Sequence, residues 1–450
     1  MRNTVTNKKK QEGVKIQMND YKDIGERFMR YASINTQSRE GIPDTPSTAC
    51  QRDLAVLLRD ELADMGASEV YYDEKHCYVY GAVPGNIPFD QAKLDSRKDK
   101  NKRHRQNNAP IIGLMAHMDS SPDVAGTDFR PRRINSYDGT DIQLDKDGQY
   151  VLSASEYPSL KKHIGQSIIV TDGTTVLGGD DKAGVAAIME VMKFYLSHPE
   201  YAHGTIRCCF TPDEEVGNGP MWLDQDHFAC DYAYTIDGGD LGQLEYENFN
   251  AASAVINING ISTHPGNAKG KMKSALLVGM ELAGLLPKLE TPFYTEGREG
   301  FYHLLEMKGT TDKAMMDYII RDHDKERFEE RKAEMKKAVK AMNLRYGAGT
   351  VELKLKDSYY NMGEKIRPHM HLIDNAVNAM KALGIEPLID AIRGGTDGCR
   401  LSFEGIPCPN LGTGAYNYHS RFEYVSVDEM ARNVDLIARI LNTYASYELD

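Results

Sequence analysis

Apolar positions along this chain follow two periods. Ile111–Ala116 is a short apolar run after Pro110 and predicts a buried strand. Ser167–Val170, Thr205–Phe210 and Tyr232–Ile236 predict three more. Between them, Val185, Ile188, Met189, Met192, Tyr195 and Leu196 recur at helical spacing and define one apolar face. Strands alternating with helices predict an α/β fold, a mostly parallel sheet covered by helices. In such sheets ligands gather beyond the C-terminal ends of the strands.

From about Ala251 the pattern changes. Ala252–Gly260 and Ala314–Arg321 read as strands, and Ser274–Leu286 as a helix. Lys325–Asn343 is a charged helix with a narrow stripe of Phe328, Met335, Val339 and Met342. Thr350–Lys356 alternates Val351, Leu353 and Leu355, one face in and one out. This is a two-layer α+β unit of ordinary domain size. Helices return at His371–Leu383 and Val427–Tyr444, the second opened by Ser426 and Glu429 in capping-box spacing. The expected organisation is a discontinuous main domain, 19–248 and 361–450, with a smaller α+β domain inserted at 249–360. Residues 1–18 read as a flexible tail, and 90–108 as a basic surface loop.

Composition narrows the function. The net charge of −12 over 450 residues disfavours a nucleic-acid partner. No run approaches the roughly 18 apolar residues of a membrane span. The seven cysteines lack metal-ribbon spacing and read as core thiols of a reducing compartment. The polar N-terminus has no apolar secretory region, so a cytoplasmic location is expected.

Five clusters carry candidate chemistry. His117-Met118-Asp119 follows a strand, and residues two apart share a side, so Asp119 can hold the His117 imidazole. In Gly178–Gly184, Asp180 and Asp181 start a helix, as caps or as cation ligands. Asp213-Glu214-Glu215 sets three carboxylates after an apolar strand, where they repel unless solvated or neutralised. Asp237-Gly238-Gly239 ends another strand, as a turn or a ligand. His419 lies in Tyr418–Glu423. Singly none decides anything. Together they supply the mixed nitrogen and oxygen donors that two divalent ions need. A spare carboxylate is then required as general base, and Glu214, beside Glu215, suits it.

The order of these stretches, with Ser262–Gly266, Arg393–Gly398 and Asn417–Tyr424, resembles the two-zinc superfamily of aminoacylases and glutamate carboxypeptidases. Glu296–His303 resembles the tripeptide aminopeptidases of the peptidase T family in particular. The resemblance spans nearly the whole chain and implies a zinc-exopeptidase-like catalytic domain with an inserted lid. It implies one zinc on His117 and Asp237, another on Glu215 and His419, and Asp180 bridging them. Manganese and cobalt suit the same donors. It implies a cis peptide beside Asp180, with Asp180–Asp181 the candidate. Asp119 and Glu214 become the catalytic pair, with Asp119 orienting His117 and Glu214 as base. His264 is implied as the oxyanion group, and Arg393 reads either as a partner for a peptide's terminal carboxylate or as an ordinary surface salt bridge. Asn361, Asn410 and 296–303 are weaker substrate contacts. The expected substrate is a short peptide, with a homodimer expected by resemblance only. A dipeptidase or an N-acyl amino acid deacylase is the alternative. Gly179 departs from the family, where alanine is usual.

Overall fold

The computed structural model describes residues 24–88, 101, 104, 107–124 and 126–447. The tail 1–18 and most of the basic stretch 90–108 therefore lie outside the described residues. The main sheet has eight strands. Its centre is the strand Ile112–His117, paired in parallel with Ile206–Thr211 on one side and Tyr232–Gly238 on the other. Asn410–Gly412 extends it in parallel beside Tyr232–Gly238. Gln243–Asn248 and Leu388–Ile392 complete that side, and Tyr78–Val83 and Ser68–Asp73 the other.

The central strands are buried on both faces, which is why they read as continuous apolar runs. Ile112, Leu114 and Ala116 face a core shared with the helices Gly179–Ser197 and Val427–Tyr444. Ile111 and Met115 face a second core with Phe228 and Leu401. The helix Gly179–Ser197 differs from the single apolar face read from sequence. Val185 through Met192 are all buried, including Ala186, Ala187 and Glu190. The helix is sandwiched between the sheet and its neighbours, so small residues close its other sides and hide the amphipathic signal. Among the described residues no helix is long and apolar enough to cross a membrane.

Residues 250–359 carry a separate four-stranded sheet. Its order is Phe301–Gly309, Lys313–Asp322, Asn250–Asn259 and Val351–Tyr359, all antiparallel. Ala275–Ala283 and Lys325–Tyr346 pack on it around Ile256, Met316, Phe328, Met335 and Met342. The expected stripe on Lys325–Tyr346 is buried as read. Asparagines knit the two crossings from the main body. Asn248 donates to the carbonyls of Phe249 and Tyr360, and its own oxygen accepts from the Met362 N–H. Asn250 donates to the carbonyls of Asp322 and His323.

A small sheet joins Arg132–Ile134, Ile168–Val170, Tyr424–Ser426 and Ala415–Tyr416. It lays the chain around 417–423 against 177–180. Ser426 caps the last helix by accepting the Glu429 N–H, but the Glu429 carboxylate bonds the Tyr416 hydroxyl instead of returning to the cap.

Candidate metal centre

Three parallel strands deliver their C-terminal ends to one place. His117 ends the central strand and pairs with Thr211, so Glu214 and Glu215 emerge beside it. Asp237 lies at the end of the next strand. Asp180 enters from the irregular start of Gly179–Ser197, where Asp180 and Asp181 have non-helical dihedrals and a cis peptide joins them. His419 comes from the loop after Tyr416, in the left-handed region with φ 58°.

Asp180 sits between the imidazoles. Its Oδ1 is 2.9 Å from His117 Nε2, and its Oδ2 is 3.5 Å from His419 Nε2. His117 Nε2 also lies 3.5 Å from Asp237, and His419 Nε2 lies 2.8 Å from Glu215. Donor atoms of His117, Asp180 and Glu215 fall within 4.8 Å of one another, and so do those of His117, Asp181 and Asp237. Asp181 is less available than Asp180. Its two oxygens already accept the backbone N–H groups of His117 and Gly184.

Asp119 has two tasks. Its Oδ1 lies 3.2 Å from His117 Nδ1. Its two oxygens also accept the N–H groups of Glu214 and Glu215 at 3.0 and 3.2 Å, which fixes the loop carrying both glutamates. Asp213 anchors that loop from the other side, taking bonds from Ser47 and Gln51.

The electrostatics follow from crowding acids in a buried place. Burial above all pushes the carboxyls of Glu214, Asp237 and Asp181 well above their ordinary values, and their neighbouring acids add to it. Burial opposes ionisation of Asp180 too, yet the two imidazoles hold it well below the usual range. Bonds to Asp180 and Glu215 push His419 up to about 11. Two imidazoles cannot neutralise Asp180, Asp181, Glu214, Glu215 and Asp237 together. The Glu215 Oε1 is buried with no hydrogen-bond partner. A buried carboxylate oxygen left over in a mixed nitrogen and oxygen donor set fits a divalent cation.

The remaining candidates lie elsewhere. His264 is exposed in the second sheet unit, where its Nδ1 accepts the Gly266 N–H, and no described contact joins it to the cluster. Arg393 is occupied. Its guanidinium donates to the carbonyls of Gly297, Glu299 and Thr295 and lies over the rings of Phe249 and Phe301. Asn410 is buried and faces inward, with its oxygen accepting from Thr235 and the Asp237 N–H and its amide donating to Glu245. Asn361 likewise bonds protein groups, at His323 and Gly363. Sequence reasoning had offered both asparagines to substrate. Nothing in the sequence around them distinguishes a buried amide from an open one.

Several residues had been missed. Asp123 takes His419 Nδ1 at 2.8 Å. Asp397 is buried, accepts the Thr211 hydroxyl at 2.6 Å, and is pushed up to about 6 by burial. Glu423 is buried and accepts three backbone N–H groups around Asp180. Its signal was available, since an acid between Phe422 and Tyr424 in a strand-like run must find donors.

A mostly parallel sheet with histidines and carboxylates gathered at its C-terminal edge, beside an antiparallel sheet unit, fits a metallohydrolase. Residues 178–443 match the model of peptidase family M20/M25/M40. Peptidase T of Caldanaerobacter subterraneus subsp. tengcongensis is 49% identical over 94% of this chain and 98% of its own length. Peptidase T of Halothermothrix orenii is 46% identical over 94% and 99%. The crystal structure of aminopeptidase PepT from Bacillus cereus shares the fold, with a TM-score of 0.72 at 22% identity, covering 96% of this chain and all of that one. A dinuclear metal-binding peptidase of the M20 family from Bacillus subtilis aligns with a TM-score of 0.59 at 14% identity, over 94% and 99%. The chain belongs to peptidase family M20/M25/M40.

Proposed function

We propose that this peptidase is a di-zinc aminopeptidase that removes the N-terminal residue from tripeptides. The observation that carries the reading is Asp180 lying between His117 and His419, with Asp237 and Glu215 on the outer sides. Full-length relatives named Peptidase T support the substrate class. His117, Asp180 and Asp237 would hold one cation, and Asp180, Glu215 and His419 the other. When bound, the two cations supply Lewis acidity toward the scissile carbonyl and lower the pKa of water.

The chain's own residues do the rest. Asp119 keeps the His117 ring in place and pins the backbone of Glu214. Glu214 takes a proton from the attacking water and returns it to the leaving amine, a role that suits a carboxyl whose affinity for protons burial has raised. His264 stabilises the oxyanion from a second subunit, so a homodimer is part of the reading. Arg393 takes the terminal carboxylate once a peptide displaces the carbonyls of 295–299.

Hydrolysis of trialanine, dialanine, tetra-alanine and N-acetylated trialanine tests the reading, each with chelator, with zinc restored, and with Glu214→Ala. The expected result is metal-dependent release of one N-terminal alanine from trialanine alone, abolished by Glu214→Ala. Cleavage of dialanine or the acetylated peptide instead would move the substrate to a dipeptidase or deacylase. No hydrolysis with two metals bound would overturn the enzyme assignment of this site.

A further inference from the structure

We infer that Glu423 is a positioning residue that fixes the bridging candidate Asp180 relative to His419, an inference that rests on the metal reading above. Its carboxylate is almost wholly buried, with 1% exposure. One oxygen accepts the N–H groups of Leu177 and Gly178 at 2.7 and 2.8 Å, and the other accepts that of Asp180 at 2.9 Å. Three donors from one tight turn thus converge on a single side chain from a remote part of the chain. Gly178 sits in the left-handed region with φ 75°, which lets the turn present these donors together.

The same short loop that supplies Glu423 supplies His419. Both Asn417 and His419 have positive φ, and the loop is closed by Asn417 donating to the Phe422 carbonyl and by the Glu423 N–H donating to the Ser420 carbonyl. Tyr424–Ser426 then pairs with Ile168–Val170, which locks the loop into the small sheet. Glu423 is therefore the tie between the two loops that face each other as Asp180 and His419. The fit leaves little room. A Cβ on Gly179 would lie 2.9 Å from Glu423 Oε1 and 2.7 Å from Val425 Cγ2.

A carboxylate suits this place because it only accepts. Glutamine at 423 would turn an NH2 toward an N–H donor and leave at least one backbone group unpaired. Aspartate keeps both acceptors but is one methylene shorter. Neither change replaces a metal-donor side chain or a reacting group; each acts on Asp180 through its backbone N–H.

The test is cobalt(II) titration of the metal-free protein, followed by visible absorption, for wild type, Glu423→Gln and Glu423→Asp, with thermal melting of each. Wild type is expected to bind two cobalt ions. The variants should bind cobalt about 10–100-fold more weakly, the range seen when a group supporting a ligand is lost. Their cobalt spectra should also differ from wild type. At saturating cobalt, kcat for trialanine should fall while KM stays within about twofold, as expected when substrate binding is untouched. If Glu423→Gln does not fold, Glu423→Asp decides. Wild-type cobalt affinity and spectrum in the folded variants, even with a lowered melting temperature, would overturn the inference. Failure of the wild type to bind cobalt would instead overturn the metal reading on which it rests.

Discussion

The two sheets bury different chemistry. The antiparallel sheet of residues 250–359 alternates apolar and polar positions, and Ile256, Met316 and Phe328 form its core. Its buried ion pairs, such as Arg331 with Asp322, lie at the margins. The C-terminal edge of the main sheet buries acids side by side, holds His419 and Asp213 at positive φ, and relies on crossed hydrogen bonds to keep them there. One region is optimised for packing. The other holds an arrangement that packing alone would disfavour, which is what a site looks like when judged by stability.

Substitutions in the two regions should therefore fail in different ways. Glu214→Ala should lower kcat for trialanine about 10²–10⁴-fold, the usual contribution of a general base, with a melting temperature at or above wild type because a buried acid is removed. Arg393→Ala crosses between the regions. It should raise KM for trialanine by about tenfold or more if the guanidinium takes the substrate carboxylate, the value of a lost charged hydrogen bond. An unchanged KM with a lowered melting temperature would make Arg393 only a brace for 295–299. Met335→Ala, in the antiparallel unit, should cost about 2–5 kcal/mol in denaturant unfolding and leave kcat within about twofold. A large kcat loss there would break the comparison.

The smallest effect concerns pH. Glu245 is pushed up to about 7 by burial, from an ordinary 4.5. The folded state then binds its proton more tightly than the unfolded state. Stability from this group is present below the unfolded value and is lost as pH rises from about 4.5 to about 7. Glu245→Gln should flatten that slope, measured by urea unfolding on either side of the window.

The antiparallel region was also the more legible in sequence. The stripe Phe328, Met335, Val339 and Met342 and the alternation at Val351, Leu353 and Leu355 appear as elements of the expected kind, because burial on one face writes itself as a period. The central strands were legible as apolar runs. The strands Gln243–Asn248 and Leu388–Ile392 were not, since Glu245, Glu247 and Asp390 interrupt them. At the site, His117, Asp180, Glu215, Asp237 and His419 were found from their clusters and the resemblance, and the structure brings them together. Asp123 and Asp397 carry no spacing signal for His419 and Thr211, which they meet only through the tertiary fold. Arg393 was legible as a cation at a glycine-rich turn, but its occupation by 295–299 depends on how the second sheet is set against the first.

His117 precedes the antiparallel sheet along the chain and His419 follows it. Synthesis runs from the N-terminus, and structure forms as the chain emerges. A growing polypeptide that has released His117, Asp180, Glu215 and Asp237 still lacks His419, Glu423 and the strand Tyr424–Ser426 that seats their loop. The candidate centre is therefore complete only once the chain through Ser426 has been made, after the whole antiparallel unit that separates its two halves.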